Sequence, residues 1–281
     1  MLSLQPKVIG KKINKVEVFE DKISDKALIK LLRKQPKLNF IETVTGCEFK
    51  DIERRAKFLI SKIEKMNTTY YIVVHLAMAG KWLYAKKLED LNQMHRKHIL
   101  VQFVLDDGSY LVYSDYRRFG SISVHTEDEY WRMKNIHGLG PEPFWEGADE
   151  IYLNTLRTKK KYFDKPIKGV IMDQGVVAGV GNIYACEALW VMGINPNEKV
   201  QDLSDSELLD IFHTFKETML FSISLGGSSI NDYVNADGLS GGFQEYLKVY
   251  DRKQCECGSN IEKEEVAGRT THYCPKCQPL K

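Results

Sequence analysis

The chain has no run of 18 apolar residues, so no stretch of it is suited to crossing a bilayer as a helix. Its first residues set Lys7, Lys11, Lys12 and Lys15 among isolated apolar positions and lack the apolar core of a secretory signal. Both absences predict an intracellular protein with no membrane partner. Internal repeats and low-complexity tracts are missing as well. So is any large charge excess: 40 Lys and Arg against 38 Asp and Glu leave a net charge of +2. A nucleic-acid partner therefore requires the positive charge to be gathered on one face. Cysteine is nearly absent until the end, where Cys255, Cys257, Cys274 and Cys277 cluster, while Cys47 and Cys186 stand alone.

What is present falls into two patterns. With 281 residues and 43% hydrophobic content, two cores are expected rather than one. From residue 8 to about 126, short apolar runs at 16–19, 58–63, 70–76, 99–105 and 110–114 read as strands, with Asp106-Asp107-Gly108 as a hairpin turn. One helix is expected among them, over 25–34 with Ser24 as its cap. After the Gly- and Pro-rich stretch 138–147, read as a linker, the periodicity turns helical. Helices are expected over 148–157, 166–173, 183–192, 204–224 and 229–233. The domain expectation is thus 1–137, 148–247 and 248–281.

The four cysteines form C-x-C and C-x-x-C separated by sixteen residues, the pattern of two knuckles that converge on one zinc ion. Two disulfides or free thiols are the alternative. The first pair is one residue short of the usual knuckle, which predicts distortion there or a shifted ligand. Between the pairs, Arg269 follows Gly268 at a hairpin tip, placed either for phosphate or as a solvated loop residue. Gly179-Val180-Gly181-Asn182 precedes an apolar helix, so its amides either hold a phosphate or form a plain turn with Asn182 as cap. Arg54-Arg55-Ala56-Lys57-Phe58 is expected to open a strand on which Arg55 and Lys57 share a face. That face is either solvated or lines a pocket in which Lys57 moves protons or attacks a sugar carbon. Met78, Arg117 and Phe119 fall in segments read as exposed tips after two strands, where bulky side chains can wedge into a DNA base stack in place of an extruded base; the bland alternative for Met and Phe is core packing.

Taken together, RRAKFL, HLAMAG, DYRRFG, LGPEP, MDQGVVAGVGNIYACEAL, GGSSINDYVNADG, FQEYLKVYDR and GRTTHYCPKCQ resemble, in order and over nearly the whole chain, the formamidopyrimidine-DNA glycosylase and endonuclease VIII family, closest to its formamidopyrimidine branch. The resemblance implies an α+β fold: an N-terminal β-sandwich with flanking helices, a helix-two-turns-helix domain and a C-terminal zinc hairpin. It implies a base-excision-repair enzyme, a DNA glycosylase and abasic-site lyase acting on oxidised purines in duplex DNA as a monomer, with one structural zinc. By the same resemblance Lys57 and Arg269 are catalytic, and Met78, Arg117 and Phe119 fill the void left by the extruded base. Asn182 and Arg269 pinch phosphates, His95 or His98 contacts DNA, Lys165 or Lys168 lies near the lesion, and the loop 226–246 caps the base.

One departure carries its own expectation. The family begins Met-Pro-Glu, whose proline amine and carboxylate serve the glycosylase step. Here the start is Met1-Leu2-Ser3-Leu4-Gln5-Pro6. Either Met1 is an internal methionine of a longer protein, or glycosylase chemistry is lost and damaged-DNA binding kept. The chain as written is expected to cleave preformed abasic sites weakly rather than to excise bases.

Overall fold

The structure of the protein, a computed structural model, describes residues 4–229 and 238–281. These divide into two compact units. One holds 4–137 with 228, 229 and 238–241; the other holds 138–227 with 242–281.

The first unit runs α1 (Gln5–Val8), β1 (Ile13–Val18), α2 (Asp25–Leu31), α3 (Lys37–Val44), β2 (Glu48–Arg55), β3 (Phe58–Lys65), β4 (Thr68–His75), β5 (Lys81–Ala85), α4 (Gln93–Lys97), β6 (Ile99–Leu105), β7 (Tyr110–Ser114), β8 (Ser121–Thr126), α5 (Glu127–Trp131) and α6 (Lys134–His137). Its strands form two antiparallel four-stranded sheets, ordered β1-β6-β7-β5 and β2-β3-β4-β8. Alternate residues of both sheets meet in one core: Phe49, Ile63, Ile72 and Val74 from the second, Val101, Phe103, Leu111 and Tyr113 from the first. Trp82 stands edge-on to Phe103 at 5.4 Å within it.

β6 and β7 occupy the expected residues, and β1, β3 and β4 differ from expectation only at their ends. Three strands escaped the sequence reading. In β2 a bulge between Phe49 and Asp51 puts the buried Phe49 and Ile52 three residues apart, so the alternation that marks a strand is broken. β5 is buried almost throughout and has no alternation to show; β8 carries only two apolar residues in SISVHT. The single expected helix is joined by α1, α3, α4, α5 and α6; the longest of these, α3, follows Pro36, which offers no side-chain cap, and is rich in residues that also suit strands. α2 stops at Leu31, short of the expected Lys34, because Arg33 (φ 53°) and Lys34 (φ 69°) turn left-handed. Its cap is as expected: Ser24 accepts from the Ala27 amide at 3.4 Å. The largest correction concerns Lys57. Arg54 and Arg55 end β2, Ala56 (φ 50°) turns the chain, and β3 begins at Phe58, so Lys57 sits in a tight turn and shares no strand face with Arg55.

The second unit holds α7 (Ala148–Thr158), α8 (Ile167–Ile171), α9 (Asn182–Val191), α10 (Asp205–Ser224) and the hairpin β9 (Glu262–Val266) and β10 (Arg269–Tyr273). α10 opens with a capping box, Ser204 and Glu207 each accepting from the other's amide. α9 buries Ala185, Cys186, Ala188 and Leu189, as an all-round apolar helix must. Tyr152 of α7 and Phe212 and Phe215 of α10 form the aromatic centre of its core. α8 is shorter than the expected 166–173. In the stretch expected to be helical over 229–233, Ser229 is not helical and the rest lies outside the described residues. The observed α+β architecture is thus a sandwich, a helical module and a cysteine-bearing hairpin.

Candidate nucleic-acid interface

Strand register gathers the first unit's candidates at one rim. Phe58 pairs with His75, His75 with Ser121, and Lys81 with Ser114. The turn carrying Lys57 and the two loops that cross between sheets, 76–80 and 115–120, therefore emerge at the same end. α4 joins them there, because Ser114 Oγ donates to the His95 carbonyl at 2.8 Å and the Asp115 amide to the His98 carbonyl at 3.1 Å. On this rim Lys57 and Arg117 are exposed, Met78 is 63% exposed and Phe119 48%, so the two apolar side chains stand in water rather than in a core. Such a display costs solvation unless another surface covers it.

The 115–120 loop is tied down from within. Asp115 is buried; its carboxylate accepts from the Arg117 amide at 3.1 Å, the Gly120 amide at 2.9 Å and the Tyr113 hydroxyl at 3.2 Å. Gly120 packs so closely that a Cβ there would lie 2.5 Å from the His75 carbonyl oxygen and 2.0 Å from the Tyr113 hydroxyl. The Phe119 ring lies between the Arg117 guanidinium at 5.2 Å and the Lys30 ammonium at 5.0 Å. Burial pushes the His75 pKa down, and Lys57 and Arg33 push it further. Burial also lowers His95, with Lys81 adding to it, and His98, with Lys97 and Arg118 adding to it. Cations thus crowd this rim, the gathering of positive charge that a net +2 demands.

The second unit gathers its own set. The Asn182 side-chain amide donates to the Thr270 carbonyl at 2.7 Å, while its Oδ1 is buried without a hydrogen bond. An amide nitrogen has two hydrogens, so one stays available to an anion. Arg269 is exposed at the start of β10, beside the turn at Ala267 and Gly268. α8 approaches that turn so closely that a Cβ on Gly169 would lie 2.6 Å from the Ala267 Cβ. The neighbouring Lys168 is fully buried with no hydrogen bond to its Nζ. Burial lowers its pKa; the Cys186 thiol partly offsets this, and the Arg269 charge adds to it. Lys165 is not part of this group: its side chain is 59% exposed, 4.0 Å from Asp164. Of the 179–182 amides, that of Gly179 is spent on Gln174 Oε1 at 2.8 Å and does not face outward.

The four cysteine sulfurs lie within 4.8 Å of one another. Cys255 Sγ is 3.8 Å from Cys277 Sγ and Cys257 Sγ 3.6 Å from Cys274 Sγ. Zinc–sulfur bonds of about 2.3 Å in a tetrahedron require sulfurs about 3.8 Å apart, so the donor set fits one zinc ion. The short C-x-C knuckle closes by a tight turn, the Gly258 amide to the Cys255 carbonyl at 2.9 Å and the Cys255 amide to the Ser259 carbonyl at 2.8 Å, so both thiols face the centre. No disulfide forms among the described cysteines.

The model of the formamidopyrimidine-DNA glycosylase N-terminal domain matches residues 1–122, that of the family's H2TH domain 139–234, and that of the zinc finger found in FPG and IleRS 256–280. The chain belongs to the formamidopyrimidine-DNA glycosylase family. The formamidopyrimidine-DNA glycosylase of Enterococcus faecalis is 34% identical, over 99% of this chain and 94% of its own length. That of Listeria monocytogenes is 36% identical over 98% and 95%. Among solved structures, the Lactococcus lactis FPG mutant G226P in complex with Fapy-dG containing DNA superposes with a TM-score of 0.83 at 30% identity, over 99% of this chain and 96% of that one. The Lactococcus lactis Fpg with abasic-site DNA matches equally well.

Against that family background, two positioning residues had no signal in the sequence. Glu187, buried in α9, accepts the amides of Lys248 (2.7 Å), Val249 (3.0 Å) and Tyr250 (2.8 Å), tying the approach to the zinc hairpin onto the helical module. Burial holds its pKa above the ordinary carboxylate value, and the amides recover part of that shift. Gln174 laces the loop before α9, donating to the carbonyls of Met172 and Val180 at 3.0 Å while accepting from Gly179. Only the fold makes either role visible, because each partner is remote or backbone.

Proposed function

We propose that this protein excises oxidised purines such as 8-oxoguanine and formamidopyrimidine from duplex DNA and then cleaves the strand at the abasic site. The observation that carries the reading is the rim of the sandwich, where exposed Met78, Arg117 and Phe119 stand on two neighbouring loops, the second tied by Asp115, beside Lys57 among cations. Pushing a base out of a duplex costs a few kcal/mol of stacking and pairing, which inserted side chains and phosphate contacts offset. Met78 and Phe119 take the stacking role, Arg117 faces the orphaned partner base, and Asn182 with Arg269 holds phosphate. Lys57, exposed in its turn, moves a proton at the sugar and Lys168 lies near the lesion in this reading, with His95 and His98 contacting the backbone. The working divisions are 1–137, 148–247 and 248–281, joined by 138–147. We take the protein to act as a monomer inside the cell; no helix of the described residues is long and apolar enough to cross a membrane.

Borohydride trapping tests this on two duplexes, one with a preformed abasic site and one with 8-oxoguanine. The expected result is strand cleavage and a covalent protein–DNA adduct with both, in place of the abasic cleavage alone that the sequence departure from Met-Pro-Glu predicts, and peptide mapping of the adduct identifies the reacting amine. Failure on the 8-oxoguanine duplex alone removes base excision from the reading; failure on both removes the enzyme.

A further inference from the structure

The sheet β2-β3-β4-β8 has a second face. Ile52, Ile72 and Val74 enter the sandwich core, so Asp51, Glu53, Tyr71 and Val73 point the other way, where α5 and α6 cover part of the sheet with Tyr130 and Ile136. Beside that cover lies a cavity of about 190 Å³ lined by Asp51, Glu53, Ile60, Lys62, Tyr71, Tyr130 and Trp131. Its aromatic wall is ordered: the Tyr71 and Tyr130 rings stack at 4.0 Å and 11°, and Trp131 stands against Tyr130 at 5.1 Å and 64°. Trp131 remains 59% exposed. Its polar wall is acidic. The Tyr130 hydroxyl donates to Glu53 Oε1 at 3.2 Å and the Tyr71 hydroxyl to Glu127 Oε1 at 3.5 Å; Asp128 and Glu129, also in the first turn of α5, lie outside the lining. Asp51 and Glu53 against Lys62 leave the lining at two negative charges to one positive, a local excess opposite in sign to the +2 of the whole chain.

We propose that this pocket receives an arginine side chain from a basic segment of a partner protein. A guanidinium is planar and weakly hydrated, so it can lie on the exposed Trp131 ring while its in-plane N–H groups meet the carboxylates of Glu53 and Asp51. A lysine ammonium is a strongly hydrated point charge and gains less from the ring face. Nucleic acid is repelled by Asp51, Glu53 and the acidic turn of α5. The cavity is smaller than the roughly 300 Å³ at which drug-sized ligand sites begin, but it suits one long side chain.

The test is calorimetric titration of the full-length protein with a short glycine-arginine peptide, with the same peptide carrying neutral citrulline for arginine, and with a glycine-lysine peptide. Expected are saturable binding of the arginine peptide, none of the citrulline one and weaker binding of the lysine one. Glu53→Gln and Trp131→Ala should each weaken arginine-peptide binding about tenfold or more, the scale of one lost charge-assisted contact. Both variants should keep the native thermal midpoint within a few degrees and bind abasic DNA as the native protein does, since neither side chain is on the DNA rim. No binding of the arginine peptide, equal binding of the citrulline or lysine peptide, or native affinity in both variants overturns the proposal. If Trp131→Ala lowers the midpoint substantially, Glu53→Gln, which keeps an oxygen for the Tyr130 hydroxyl, decides alone.

Discussion

Asn182 donates its side-chain amide to the carbonyl oxygen of Thr270 at 2.7 Å, joining the first turn of α9 to the strand just past the hairpin tip. The two residues we assign to phosphate, Asn182 and Arg269, are therefore set relative to each other by the hairpin's own fold. That fold depends on the four cysteines, so metal and phosphate grip are coupled through backbone.

Purified protein should contain one equivalent of zinc, measured by metal analysis. Cys274→Ser, or a strong chelator, should release it and lower DNA affinity at the same time, because a structural zinc site contributes folding free energy. Undiminished DNA binding after full zinc loss would break the link through Thr270.

Arg269→Ala should weaken binding to abasic duplex by about 2 kcal/mol, the range of a lost charge-assisted hydrogen bond. It should also lower the slope of log affinity against log salt by roughly 1, since one phosphate contact is removed. A loss of affinity with an unchanged slope would mean that Arg269 supports the fold instead.

Glu187→Ala deprives three amides of their acceptor, and each unsatisfied buried amide costs about 1–3 kcal/mol. Thermal unfolding should show a loss on the order of 3 kcal/mol, relieved in part where water reaches the gap. Glu187→Gln should lose less, because the amide oxygen still accepts while its NH₂ opposes only one N–H. Equal stability in the two variants would show that the charge, not the acceptor geometry, matters.

Stability should fall as pH drops below about 6.5, the ordinary histidine value. Burial lowers the pKa of His75, His95, His98, His125 and His272. The unfolded chain then binds protons that the folded one refuses, so the stabilisation is complete above the unfolded value and is lost as pH falls through the folded ones. Glu187, with its raised pKa, runs the other way, one group against five. Thermal midpoints at pH 7.5, 6.5 and 5.5 should decline, and less steeply in His75→Gln. A flat profile would contradict the burial of these rings.

Local chemistry on its own determined much of this protein. Ser24 and Ser204 announce their helices because capping needs only a few neighbouring residues; Asp106-Asp107-Gly108 announces its turn for the same reason; and four clustered cysteines announce a metal site because zinc needs four soft donors whatever the fold. The order of eight motifs sufficed for the family. Tertiary structure alone decided where the chemistry sits. The sequence puts Lys57 on a strand face, yet the left-handed Ala56 and the pairing of Arg55 with Phe58 place it in a turn; such a reversal depends on which residues of the two strands pair and leaves no periodic mark. The sequence held Lys165 and Lys168 as equals, and burial separated them, because which lysine lies under the hairpin tip depends on a glycine three-dimensionally beside Ala267. Glu187 and Asp115 gave no sign of their roles for the same physical reason: what they bind is wholly or mainly backbone, and backbone amides are alike in every sequence until the fold aims them.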